Sequence, residues 1–87
     1  MNTSTANTNI IWTEIRDGIH DWSVQANAGQ FVAKAYQVRD GYFKFDIYSV
    51  GEKFRYTLIY TPENGLSTSE DATYTASTLL SQFASTK

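Results

Sequence analysis

The chain reads as an α+β domain: an antiparallel five-strand β-meander followed by one C-terminal α-helix packed on one face of the sheet, in the order βββββα. Three observations lead there. Asp40-Gly41 sits between two runs rich in aromatic and β-branched residues. Asp-Gly in that setting is a strong hairpin signal, because both central residues of a type I′ turn need positive φ. Val50-Gly51 marks a second turn, before Phe54 to Tyr60. Finally, Ser67-Thr68-Ser69-Glu70 matches a capping box, and Ala72, Ala76, Leu79, Leu80 and Phe83 follow it at helical spacing.

The registers follow from the turns. A two-residue Asp40-Gly41 loop sets Arg39 against Tyr42, Val38 against Phe43, Tyr36 against Phe45 and Lys34 against Ile47. Residues paired across strands share a face. Val32, Tyr36, Val38, Phe43, Phe45 and Ile47 then lie on one side, and Gln37, Arg39, Tyr42, Lys44, Asp46 and Tyr48 on the other. The Val50-Gly51 turn extends the apolar side through Phe54, Tyr56 and Leu58, and sets Asp46 against Arg55 on the outer side. One cost accompanies this pattern. Lys34 falls on the apolar face near Trp22, where its stem would pack while its ammonium reached the sheet edge.

From the N-terminus, residues 1–9 form a Thr/Asn/Ser/Ala tract with nothing to bury, expected to be a disordered tail. Residues 10–87 then make a single α+β domain. Ile10 to Arg16 and Asp21 to Ala26 alternate as the first two strands. A loop from Asp17 to His20 sets Arg16 opposite Asp21 and Ile15 opposite Trp22, which avoids facing Glu14 with Asp21. Ile11, Thr13, Ile15, Trp22 and Val24 then face inward and Trp12 outward. A three-residue Asn27-Ala28-Gly29 turn, with Gly29 left-handed in a bulge, pairs Val24 with Val32 and keeps strands two and three in agreement. Pro62 ends the last strand, since proline has no N–H for a ladder. The helix is expected from about Thr68 to about Ser85, capped by Ser67 and Glu70, with Glu70 and Asp71 complementing its dipole.

Composition narrows the function. The 87 residues contain no cysteine, so neither a disulfide nor a thiolate metal site is available. No apolar run is long enough to span a membrane and no signal peptide is visible, so a cytoplasmic protein without a membrane partner is expected. Net charge is −2, but five Lys/Arg against three acids fall between Phe31 and Tyr60, on the sheet. His20 is the single histidine. With Asp17 and Asp21 it reads as a solvated turn, since one imidazole among flexible carboxylates lacks a preorganised geometry. No Gly-x-Ser-x-Gly, Gly-rich phosphate loop or His-Glu-x-x-His is present. The sequence therefore reads as non-enzymatic, with no metal or cofactor.

The outer face of the sheet is the expected working surface. By the register above it shows Trp12, Phe31, Tyr42, Tyr48 and Ile59, interspersed with Arg39, Lys44, Lys53 and Arg55. A single helix covers one side only and leaves these rings open. Tyr, Trp and Arg are the types enriched at protein hot spots, which favours a protein partner or self-association. In size, cysteine-free composition and lack of catalytic groups the chain resembles small phage or mobile-element proteins that act as inhibitors by occupying a host enzyme surface. The alternative is single-stranded nucleic acid, with rings stacking bases and cations tracking phosphates. In topology and size the expected fold resembles the PC4-like single-strand-binding domains, which implies single-stranded DNA binding on the sheet face.

Overall fold

A computed structural model describes residues 10–85. It contains β1 (Thr13–Glu14), β2 (Ser23–Ala28), β3 (Phe31–Arg39), β4 (Tyr42–Val50), a 3₁₀ turn (Glu52–Phe54), β5 (Tyr56–Tyr60) and helix α1 (Ser69–Ser85). The strands form one antiparallel sheet in the order β1-β2-β3-β4-β5, so the expected five-strand meander with a C-terminal helix is the fold observed. The expected tail at residues 1–9 lies outside the described residues. Among these residues, no helix is long and apolar enough to cross a membrane.

Helix α1 begins one residue later than its sequence signature suggests. Asp71 N–H donates to Thr68 Oγ1 at 3.0 Å, so Thr68 caps the helix in place of Ser67. Glu70 and Asp71 occupy the first turn, where negative charge opposes the helix dipole. Ala72, Ala76 and Leu80 recur every fourth residue and are fully buried. They pack on Val24, Ala26, Ala33, Ala35, Phe45 and Ile47, with Leu79 and Phe83 at the margin. The helix lies over β2, β3 and β4. Strand β5 is outside its main footprint, and all five β5 residues are exposed.

The alternation expected for β4 holds, with Phe45 and Ile47 buried under the helix. Strand β3 is shifted by one residue against expectation. Arg39 pairs with Tyr42, but the next pair is Gln37 with Phe43, and Val38 is the extra residue. Only Gly41 in this turn has positive φ (+73°), so the tip is not the type I′ turn expected of Asp-Gly. A single left-handed glycine accompanies a type I turn with a bulge, and such a bulge adds one residue to one strand. Every side chain before Val38 therefore changes face. Ala33 and Ala35 turn inward; Val32, Lys34 and Tyr36 turn outward. The shift relieves Lys34, which would otherwise enter the core beside Trp22, and places it opposite Asp46.

The β2–β3 turn is also corrected. It is a two-residue Gly29-Gln30 loop that pairs Ala28 with Phe31 and Val24 with Ala35, without the expected Gly29 bulge. Gly29, at φ +61°, is the first central residue, the position a type II′ turn reserves for glycine. On the N-terminal side, Glu14 pairs with Val24, and Ile15 N–H donates to Ser23 O at 3.0 Å, so the loop to β2 is longer than Asp17–His20. This register turns Trp12 to the helix side, where its Nε1–H donates to Ser77 Oγ at 2.8 Å.

Strand β5 also differs from expectation. The 3₁₀ turn lengthens the connection, so Tyr56 pairs with Val50 and Leu58 with Tyr48. Tyr56 and Leu58 thereby leave the expected apolar side for the outer one. A second bulge, after Leu58, returns Tyr60 to the helix side opposite Ile47, and its ring stacks on Phe45 at 5.9 Å. Beyond the 61–65 loop the chain rejoins β4. Phe43 N–H donates to Leu66 O, and Leu66 N–H to Phe43 O, each at 2.7 Å.

These placements separate two leucines by energy. Leu80→Ala, in the centre of the helix stripe, should cost about 2–5 kcal/mol. Leu58→Ala, at 52 % exposure, should cost less than about 1 kcal/mol. Urea unfolding of both variants checks the assignment, and equal losses would contradict it.

Candidate binding face

The face opposite α1 is built by alternation. From β3 it receives Val32, Lys34 and Tyr36; from β4, Tyr42, Lys44, Asp46, Tyr48 and Val50; from β5, Tyr56 and Leu58. The register arranges them in rows. One row runs Asn27, Val32, Tyr48 and Leu58 across β2 to β5. The next runs Gln25, Lys34 and Asp46. The face thus divides into an apolar half beside the β4–β5 turn and a polar half toward the β1–β2 loop.

The apolar half rests on Val32, which is fully buried although it lies on the side away from the helix core. Tyr48, its cross-strand partner, meets the Tyr56 ring edge-on at 6.0 Å. Tyr56 and Leu58 remain half exposed beside them. At the tip of the same hairpin, Lys53 and Phe54 both adopt left-handed backbone conformations, at φ 59° and 58°. A left-handed aromatic residue is an unusual arrangement that costs about 1–2 kcal/mol. Here it holds the Phe54 side chain out at 84 % exposure.

The polar half centres on Asp46. Its carboxylate accepts bonds from Thr61 Oγ1 at 2.8 Å, Tyr36 OH at 3.1 Å and Tyr48 OH at 3.5 Å. Burial, and then the nearby Asp46 charge, raise the pKa of both Tyr36 and Tyr48 above the ordinary tyrosine value. The β1–β2 loop folds against this cluster. Asp17 Oδ1 accepts the backbone N–H groups of Ile19 and His20, each at 2.9 Å, and Oδ2 accepts His20 Nδ1–H at 2.7 Å. The His20 bond first, then the backbone donors, hold the Asp17 carboxyl well below the usual carboxylate range. The imidazole lies on Tyr36 with ring centroids 4.6 Å apart. Together these groups border a notch of about 280 Å³, also lined by Lys34. The loop expected to be merely solvated is therefore an ordered Asp–His pair. Its signal was present in the spacing: an Asp followed at two and three residues by N–H groups that it can cap.

The residues expected on this face separate into four groups. Tyr42, Lys44 and Tyr48 occupy it, and Arg39 stacks over the Tyr42 ring at 4.7 Å. Gly65 packs against that ring so closely that a Cβ there would overlap Tyr42. Trp12 and Phe31 are on the helix side: Trp12 bonds to Ser77, and Phe31 lies 5.8 Å from Phe83. Lys53 and Arg55 are exposed at the β4–β5 turn, around a shallow groove with Ser49 and Thr57. Arg55 is not opposite Asp46. Ile59 sits at the second bulge. Sequence reasoning missed Tyr36, Tyr56 and Leu58, all through the parity changes at the bulge and turn.

The two raised tyrosines provide a pH test. The folded chain holds their protons more tightly than the unfolded chain, so stability is full below pH 10 and declines as pH rises above it. Ultraviolet titration should show Tyr36 and Tyr48 ionising last. Asp46→Asn should lower both values partway, because burial remains. Simultaneous ionisation of all six tyrosines in the folded protein would contradict the arrangement.

Comparison of the chain with protein-family models, with curated proteins and with solved structures returns no significant match, so any reading of this face rests on its own chemistry.

Proposed function

We propose that the protein is a non-enzymatic binding module whose open sheet face contacts another protein, in the manner of a small inhibitor that occupies the surface of a larger enzyme. The observation that carries this reading is the apolar half of the face. Phe54, Tyr56 and Leu58 are exposed together around one hairpin, next to a Tyr48 already packed on buried Val32. Exposed apolar groups gathered in one place mark contact surfaces more often than scattered ones do. Strain supports the same reading. A backbone outlier that projects a large ring into solvent is costly in the free protein and is compensated when the ring is buried in a partner.

Single-stranded nucleic acid is the less favoured reading. Lys34 and Lys44 remain on the face, but Asp46 stands between the tyrosines, and Trp12 and Phe31 lie on the helix side instead, one bonded to Ser77 and the other against Phe83. A phosphate backbone crossing this face would meet a carboxylate at its centre.

Phe54→Ser and Leu58→Ser should each leave folding intact by circular dichroism. Each should weaken capture of a protein partner by about 30-fold, the loss expected for a hot-spot side chain worth 2 kcal/mol. Unchanged capture by both variants, or oligonucleotide binding that falls with added salt, would contradict the proposal.

A further inference from the structure

We infer that β5 is a pairing edge for a second copy of this chain, joining two five-stranded sheets into one ten-stranded sheet across a two-fold axis between the two Thr57 residues. The inference rests on backbone groups that face away from the sheet rather than on the ring face, so the two proposals can fail separately.

Among the described residues, the edge is unprotected. Natural edge strands are usually kept short, charged or interrupted by proline. Strand β1, at the opposite edge, spans two residues and carries Glu14. Strand β5, Tyr-Thr-Leu-Ile-Tyr, is exposed throughout and contains neither charge nor proline.

The backbone sets the register. Phe43 N–H bonds to Leu66 on the β5 side of β4, and Gly51 N–H bonds to Arg55 at 2.7 Å. Val50 N–H instead bonds to Gln30, on the β3 side, at 2.8 Å. Antiparallel ladders alternate in this way, so Ile47 and Ser49 also direct their groups toward β5. Their partners, Tyr60 and Thr57, point back at β4. The N–H and C=O groups of Tyr56 and Leu58 face away from the sheet.

An extended strand is the element that satisfies such a row, and a second β5 does so completely. Antiparallel pairing about Thr57 sets Tyr56 of each copy against Leu58 of the other, and all four outward groups of each chain find partners. Centring on Leu58 would set Tyr56 against Tyr60, whose groups are already turned to β4. The Thr57 register has further support. It places two half-exposed apolar side chains together on the outer face, and a Thr–Thr pair, a favourable cross-strand match, on the other. No like charges meet in the seam, although each copy carries a net charge of −2. The ladder ends naturally at left-handed Phe54 and at the bulge before Tyr60.

A chain without cysteine allows a direct test. Thr57 is the non-hydrogen-bonded position of the proposed pair, where facing Cα atoms are about 4.5 Å apart, within disulfide range. Thr57→Cys should oxidise to a covalent dimer faster than Leu58→Cys or the surface control Ser67→Cys. Sedimentation of the native chain should move from 9.8 kDa toward twice that mass as concentration rises. Leu58→Pro removes one outward N–H but no bond to β4, and should give a folded monomer. A native chain that stays monomeric, with Thr57→Cys cross-linking no faster than Ser67→Cys, would overturn the inference. Preferential cross-linking through Leu58→Cys would overturn the register. Monomeric protein that still captures a partner through Phe54 and Leu58 would remove the edge pairing and leave the face contact standing.

Discussion

The rest of the structure depends on the contact between two alanine pairs. Ala72 and Ala76 on α1 meet Ala33 and Ala35 on β3, all four fully buried. Small side chains on both surfaces let the helix settle close to the sheet, and Phe45, Ile47 and Leu80 fill the space around them. Interior packing tolerates little change in volume, so this contact excludes the other face of β3. With Val32, Lys34 and Tyr36 inward, a lysine and a tyrosine would have to enter a site sized for methyl groups. The extra residue at Val38 is what turns the alanines inward.

The outer face is a consequence of that choice. Once Lys34 and Tyr36 point away from the helix, Asp46 can gather Tyr36, Tyr48 and Thr61 around one carboxylate. His20, tied to Asp17, then closes over Tyr36. The β4–β5 turn completes the arrangement by carrying Tyr56 and Leu58 to the same side. Rings that sequence alternation assigns to the core become surface, while Trp12 and Phe31, assigned to the surface, seal the ends of the helix packing. Function, on the reading proposed above, lives on residues displaced from the core by the demand for small side chains beneath the helix.

Much of the fold was legible in the sequence because its signals are local. Turn glycines, the Thr/Ser and Asp/Glu cap, and the stripe from Ala72 to Phe83 each act within a few residues. The alternation of β4 was legible too, since Phe43, Phe45 and Ile47 are large and separated by polar residues. Parity across a hairpin was harder, because one extra residue reverses a whole strand. An odd connection was expected at Gly29 and an even one at Asp40-Gly41; the structure exchanges them. Alanine was the obscured signal. Ala26, Ala33 and Ala35 bury no large surface and so weigh little in an apolar pattern, yet they form the floor of the core. The misplaced Lys34 was the visible symptom, and it marks the strand whose parity was reversed.

The most direct measurement of this account is thiol labelling of single-cysteine variants along β3, in a chain that has no cysteine of its own. With Ala33 and Ala35 beneath the helix, a cysteine at position 33 or 35 should be protected until the protein opens, and a cysteine at position 34 should react promptly. Rapid labelling at 33 and 35 with protection at 34 would restore the unbulged register and contradict the placement of the helix, the core and the open face together.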